Sequence, residues 1–185
     1  MRKKSLADLL AAAACVLACF ASPSRAAPGD LVNGISAEAG SGNGAEMWRI
    51  GVQHDWQSKW LQRGNWHMGG YWDLQAGRWS GDAKRTITDV GLTPVFRYQQ
   101  TVPSSISPYV EGAIGFHLIE PVRMDEHRGF SSAFQFGDHV GVGARFGEHG
   151  RYDLGLRFQH LSNAGIKKPN NGINFTQLRF QLHLD

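Results

Sequence analysis

Cysteine is almost absent from this chain of 185 residues, and the two that occur, Cys15 and Cys19, both lie near the N-terminus. The segment around them is typical of a secretory signal: Arg2-Lys-Lys4 precedes an apolar run, and Ser24-Arg-Ala26 fits a small-residue cleavage site. Cleavage after Ala26 leaves a mature chain without a thiol. This excludes disulfides and cysteine-ligated metals as sources of its stability.

Net charge is also absent once that segment is removed. Four of the 19 Lys and Arg residues and one of the 16 Asp and Glu residues lie in 1–26, so 15 of each sign remain. The basic balance of the full chain belongs to the targeting segment, and no nucleic-acid partner is predicted. We therefore expect a signal peptide at 1–26 and a single domain at 27–185. Lipoprotein processing at Val16-Leu-Ala-Cys19 is the open alternative.

Long hydrophobic runs are missing as well. After residue 26 no stretch approaches the roughly 18 apolar residues that a membrane-spanning helix needs, and no segment has helical periodicity. Apolar residues instead alternate with polar ones in eight segments separated by turn formers, which predicts strands. The apolar positions of these segments begin at Ile35, Trp48, Trp66, Val90, Val110, Phe134, Tyr152 and Thr176.

The opposite face of the predicted strands is polar or charged. Its members include Arg49, Asp73, Arg97, Glu111, Arg145, Arg157 and Arg179. A soluble lipocalin-like barrel would turn its apolar face inward, whereas an outer-membrane barrel turns it to lipid. Charges of both signs suit a paired interior, and Trp56, Trp60, Trp66, Trp72 and Trp79 suit an interfacial girdle. We predict an all-β fold, an eight-stranded antiparallel transmembrane β-barrel of the bacterial outer membrane.

A polar pair interrupts the apolar face of one predicted strand. His160 and Ser162 continue the parity of Leu156 and Phe158, so they face lipid, where polar groups cost free energy. Residues i and i+2 of a strand share a face with Cα atoms about 6.5 Å apart, a gap that an imidazole can cross to a serine hydroxyl. Because such a pair meets only esters that come from the bilayer, it predicts a lipid substrate. The alternative is a structural or adhesive barrel with an incidental pair.

The run His160-Leu-Ser162-Asn-Ala-Gly-Ile-Lys-Lys-Pro169-Asn-Asn-Gly172 resembles the lipid A 3-O-deacylase family of the PagL type. The resemblance implies an outer-membrane esterase that removes the 3-hydroxyacyl chain at the 3-position of lipid A and needs no cofactor. It implies His160 as general base, Ser162 as nucleophile and Asn163 as required for activity. The amides of Asn163, Ala164 and Gly165 are candidate oxyanion donors. Lipopolysaccharide and outer-membrane lipid are the implied partners, and a homodimer is left open.

The chain departs from the family pattern at the third catalytic position. The family has a glutamate fourteen residues after the histidine, and this chain has Asn174 there. Asn174 shares the outward parity of Thr176 and Leu178, so it could meet His160 across neighbouring strands. An amide oxygen can hold an imidazole tautomer but cannot stabilise imidazolium as a carboxylate does. We predict Asn174 as the third catalytic residue, with lower activity than a glutamate would give.

Three acid–histidine groups could suggest a metal site: Asp125-Glu-His127, Asp138-His139 and Glu148-His149. None has a recognised metal-ligand spacing. We interpret them as solvated loop charges or interior pairs and predict no metal.

Overall fold

The computed structural model describes residues 31–81, 85–126 and 128–184. The predicted signal segment, both cysteines and His127 lie outside these residues. In the described part of the chain, no helix has the length and apolar character needed to cross a membrane. Within these residues, the barrel unit begins at Val32.

The described residues form nine antiparallel strands. These are β1 (Gly34–Gly42), β2 (Ala45–Asp55), β3 (Trp60–Arg63), β4 (Trp66–Gly81), β5 (Ile87–Gln100), β6 (Ile106–Glu120), β7 (Phe134–Phe146), β8 (Tyr152–Ser162) and β9 (Ile173–His183). Eight of them close into a ring, because β1 pairs with both β2 and β9, and β2 also pairs with β4. The short β3 pairs with β4 outside this ring. The prediction of an eight-stranded barrel is confirmed.

The barrel has two distinct ends. Gly34 and His183 pair at one end, which we call the terminus end. At the other, which we call the loop end, β1, β4, β6 and β8 finish. The β1–β2 hairpin turns there through Asn43 and Gly44, with φ values of 50° and 74°. Such positive φ angles favour an Asn-Gly turn between twisted strands.

The polar face of the strands lies inside the barrel, as predicted. Arg97 contacts Glu111 at 2.7 Å and Asp153 at 2.6 Å, and Arg157 contacts Glu111 at 2.6 Å and pairs with Glu38. Every one of these side chains is buried. Buried charges persist when they are paired, and each of these side chains has at least one partner of opposite charge. Apolar side chains on the outer wall are exposed, among them Ile50, Ile114, Val140, Leu156 and Leu178.

The interior changes character at the loop end. A buried apolar cluster, which we call the plug, fills the barrel there: Ala45, Met47, Trp79, Ile87, Ile119, Met124, Phe130, Leu161, Ile173 and Phe175. The ring of Trp79 packs edge-on against Phe130 and Phe175 at centroid distances of 5.9 and 5.5 Å. Its indole N–H donates to Asp89 at 3.2 Å.

The assignment of Trp79 to an outer girdle is therefore wrong. Trp79 shares the parity of the interior residues Asp73 and Gln75, and this alternation sets its direction. The other tryptophans of the predicted girdle do lie on the outer side of the terminus end. Trp56 packs against Trp60, Trp72 and Phe96, and Trp66 stacks on Tyr98.

Candidate active site

His160 and Ser162 lie on the outer wall at the loop end, where β8 finishes. Both side chains are half-buried. The residues that alternate with them point inward: Leu161 is a fully buried member of the plug, and Asn163 is 1% exposed. The strand end that carries the pair is thus anchored from inside the barrel.

Asn174 lies directly across from His160 on β9. The Nδ1 atom of His160 is 2.6 Å from the Oδ1 atom of Asn174. Because a carbonyl oxygen only accepts, Nδ1 carries the proton, and Nε2 keeps the lone pair that a general base needs. The backbone N–H of Asn174 donates to the side chain of Asn43 at 2.8 Å, so the β1–β2 turn holds this residue in place.

Gly172 packs against the imidazole ring. A Cβ atom at this position would lie 2.9 Å from Cε1 of His160, and the glycine has φ of 60°. Both the space and the backbone conformation favour glycine. The end of the β8–β9 loop therefore contacts the His160 ring and limits its movement.

Asn163 stabilises the β8–β9 loop through hydrogen bonds made from a buried position. Its Nδ2 donates to the carbonyl oxygens of Phe130 and Lys167, both at 2.8 Å. Its Oδ1 accepts from the N–H of Gly165 at 3.0 Å, and its own N–H donates to Asn170 at 3.1 Å. The side chain and backbone of Asn163 are thus engaged in holding the loop that follows Ser162.

Ala164 is the predicted oxyanion donor whose backbone N–H contacts the Ser162 side chain. Ala164 and Gly165 have φ values of 53° and 78°, so the chain turns back sharply after β8. The N–H of Ala164 consequently lies 3.4 Å from the Ser162 hydroxyl oxygen. The N–H groups of Asn163 and Gly165 already have acceptors within the loop. The Ala164 N–H differs from these two because the acceptor that it meets, at 3.4 Å, is the Ser162 hydroxyl itself, which places this amide beside the predicted nucleophile.

An apolar groove of about 480 Å³ begins at His160 and crosses the outer wall from β8 to β5. Its lining includes Pro94, Phe96, Gly112, Ile114, Val140 and Phe158. Gly112 leaves its floor open, since a Cβ atom there would meet only the carbonyl oxygen of His139, at 3.7 Å. The volume falls within the ordinary range for ligand sites.

Asp138 also lines this groove, which corrects its interpretation as part of an interior or loop pair. It is exposed on the outer wall and lies directly across from His160 on β7. Neighbouring residues of a strand face opposite ways, so His139 is buried inside the barrel while Asp138 is outside. Glu148 and His149 form an exposed pair at the terminus end. Within the described ranges, no three potential metal ligands cluster.

The fold and site together define a class: a closed outer-membrane-type β-barrel that carries a serine–histidine pair and an apolar groove on its outer wall. The family model described as lipid A 3-O-deacylase (PagL) matches residues 46–183. The chain therefore belongs to the lipid A 3-O-deacylase (PagL) family, and the resemblance seen in the sequence is confirmed.

Individual relatives agree with this assignment. Lipid A deacylase PagL of Pseudomonas aeruginosa is 31% identical over 150 residues, which covers 80% of this chain and 84% of the relative. Lipid A deacylase PagL of Bordetella bronchiseptica is 31% identical over 157 residues, with 80% and 81% covered. A crystal structure of the outer membrane enzyme PagL superimposes with a TM-score of 0.73 at 29% identity, covering 82% of this chain and 99% of that one.

Sequence reasoning missed the residues that hold the site together. Asn43, Asn170 and Gly172 belong to segments that the pattern predicts only as turns. Each contacts a residue at least seven positions away in the sequence. The alternation of residues within one strand therefore carries no signal for these contacts. Asp138 did have a signal, because it shares the outward parity of Phe136 and Val140.

Proposed function

We propose that this protein is an outer-membrane esterase that hydrolyses the 3-O-linked 3-hydroxyacyl chain of lipid A, with Ser162 as nucleophile and His160 as general base. Family membership supports the substrate class. The observation that carries the mechanism is the placement of the pair. His160 and Ser162 are half-buried on the outer wall, His160 lines one end of an apolar groove, and Nε2 of His160 keeps a lone pair that can accept a proton.

The orientation in the membrane follows from the two ends. Outer-membrane barrels carry their long loops on the extracellular side of the membrane. The longest connection between strands, from β6 to β7, is at the loop end. His160 and Ser162 then lie at the level of the outer leaflet, where lipid A resides. Export through the N-terminal signal and insertion among outer-membrane lipids are parts of this proposal.

The proposed reaction has two halves. The Ser162 oxygen attacks the ester carbonyl carbon while Nε2 of His160 takes the hydroxyl proton, and the Ala164 N–H stabilises the oxyanion. The bond from the acyl carbon to the sugar oxygen then breaks, and His160 returns the proton to that oxygen. Water, deprotonated in the same way, cleaves the acyl-serine and releases the 3-hydroxy fatty acid.

The groove supplies a place for the acyl chain of that substrate. It leads from His160 near the loop end to Pro94 and Phe96, toward the middle of the barrel wall. A chain lying in it would run into the bilayer while its ester stays beside Ser162. The apolar lining and the missing side chain at Gly112 support this occupant.

The test uses the full-length barrel purified in detergent, with purified lipid A and mass spectrometry of both products. We expect Ser162→Ala and His160→Ala each to lower the rate by roughly 10³-fold or more. Both variants should still shift on gels between unboiled and boiled samples, which shows an intact barrel. Ser80→Ala, at an exposed serine on the outer wall of β4, is the matched control and should keep full activity.

Two outcomes would contradict the proposal. Activity retained by Ser162→Ala would require a different nucleophile. A wild-type protein that folds and inserts but releases no fatty acid from lipid A would favour the structural or adhesive alternative.

A further inference from the structure

The proposed mechanism leaves one charge without a partner. His160 becomes imidazolium each time it takes the serine proton, and a carboxylate beside it normally stabilises that state. Asn174 accepts the Nδ1 proton at 2.6 Å but carries no charge. Asn174 thus fixes the orientation of the His160 ring, but it does not stabilise the positive charge of the imidazolium.

The carboxylates inside the barrel already have basic partners. Asp89 is 2.7 Å from Arg49 and 2.9 Å from His117, and Glu111 is held between Arg97 and Arg157. These acids lie on the inner side of the wall, where they serve the interior network. A negative charge for His160 has to come from the outer wall.

Asp138 is such a charge. It is the β7 partner of His160 in the strand register, as Asn174 is its β9 partner, so the histidine has one of them on each side. Side chains directly opposite in an antiparallel pair have Cβ atoms about 5 Å apart. Both Asp138 and His160 line the head of the groove.

The surroundings of Asp138 give its carboxylate no role in stabilising the fold. Its outward neighbours on β7 are Phe136 and Val140, and its partner on β6 is Ile114. In the part of the chain that the structure describes, no hydrogen bond or ion pair engages the carboxylate. An unpaired acid on the lipid-facing wall costs free energy and adds no packing, which is typical of a functional group.

We propose that Asp138 replaces the carboxylate absent at position 174: it stabilises the imidazolium form of His160 through its negative charge, while Asn174 fixes the tautomer. The two tasks that one acidic residue normally performs are divided between the two strands that flank β8. Asp138 acts through His160 and is a positioning residue. This inference rests on the proposed serine–histidine mechanism.

The experiment is a double-mutant cycle on lipid A deacylation by the full-length barrel, with kcat and KM measured separately. A unit charge about 6 Å away, at an effective dielectric constant of about 20, can change a rate by up to roughly 100-fold. We expect Asp138→Asn to lower kcat about 30-fold with little change in KM. Asp138→Glu, which keeps the charge, should stay within about threefold of wild type.

The second arm restores the family carboxylate. In an Asn174→Glu background, Asp138→Asn should cost less than about threefold, because the charge is now supplied from β9. Asn174→Glu alone should raise the wild-type rate only a few-fold. Glu148→Gln, which removes an exposed carboxylate at the opposite end, is the matched control for a general charge effect.

Equal losses from Asp138→Asn in both backgrounds, a rise in KM without a change in kcat, or full activity of Asp138→Asn would each overturn the inference. These results are separable from a failure of the proposed function. The inference can fail while Ser162→Ala is inactive, whereas an active Ser162→Ala removes the mechanism on which it rests.

Discussion

The two ends of the barrel differ in where their polar and apolar groups lie. At the terminus end the outer wall is aromatic, with Trp56, Trp60 and Trp72, and the interior is polar. At the loop end the interior is the apolar plug, and the outer wall carries His160 and Ser162. The candidate active site thus lies at the end of the barrel whose interior is apolar.

This contrast shows how a single layer of strands can support a reactive site. A residue on a barrel wall has no second sheet behind it, so its position depends on what its strand neighbours contact inside. Leu161 lies between the two site residues of β8, and Ile173 and Phe175 flank Asn174 on β9; all three are plug members. Close-packed apolar side chains hold a backbone more rigidly than hydrated polar ones do.

The largest expected effect comes from removing both site side chains on the outer wall at the loop end. His160→Ala combined with Ser162→Ala should lower lipid A deacylation by roughly 10³-fold or more, no further than either change alone, because the two residues act as one unit. The heat-induced gel shift should match that of wild type. A double variant much slower than both single ones would show that the two side chains act independently.

Leu161 tests the plug from within the same strand. We expect Leu161→Ala to destabilise the barrel by about 2–5 kcal/mol through the cavity it leaves, and to lower activity because the site is loosened. The measurement is unfolding in urea together with the deacylation rate. Leu156→Ala is the matched control, since Leu156 is on β8 but 50% exposed on the outer wall. Similar costs for the two leucines would mean that the plug does not support the site.

Gly172 tests the contact with the imidazole. Gly172→Ala should lower kcat by about tenfold, because its Cβ would displace the His160 ring by a few tenths of an ångström or more. Gly64→Ala separates this contact from backbone strain: Gly64 has a similar φ of 57°, and a Cβ there meets nothing within 4 Å. If both variants lose activity equally, the ring contact is not the cause.

Gly112 tests the groove and carries the smallest expected effect. Gly112→Leu should slow release of long acyl chains about threefold while leaving short-chain ester substrates unchanged, because the added side chain fills the groove floor. Ala76→Leu, at an exposed position on the outer wall of β4, controls for added bulk. A uniform change across chain lengths would place the acyl chain elsewhere.

Most of the fold could be predicted because strand alternation is a local property. The alternation of apolar and polar residues predicted the eight strands and the polar interior. It also predicted that His160, Ser162 and Asn174 face outward. The error at Trp79 arose where residue type was given more weight than parity, since tryptophan is common at membrane interfaces but this one points inward.

The remainder depends on contacts that no short pattern encodes. Asn163 braces a loop through the carbonyl oxygens of Phe130 and Lys167, and Phe130 comes from the β6–β7 connection. Gly172 reaches the His160 ring only because the β8–β9 loop folds back over it. Such distances are set by the conformation of two loops together, and the sequence within either loop does not determine them.

The hydrogen bond from the Asn174 backbone to the Asn43 side chain has a consequence for biogenesis. Asn43 lies in the first hairpin and Asn174 in the last strand, so this contact spans the seam at which β1 meets β9. It cannot exist while the chain is unfolded or while the ring of strands is open. The candidate active site therefore takes on its final geometry only when the ring of strands has closed, much as a zymogen gains activity only at its last maturation step.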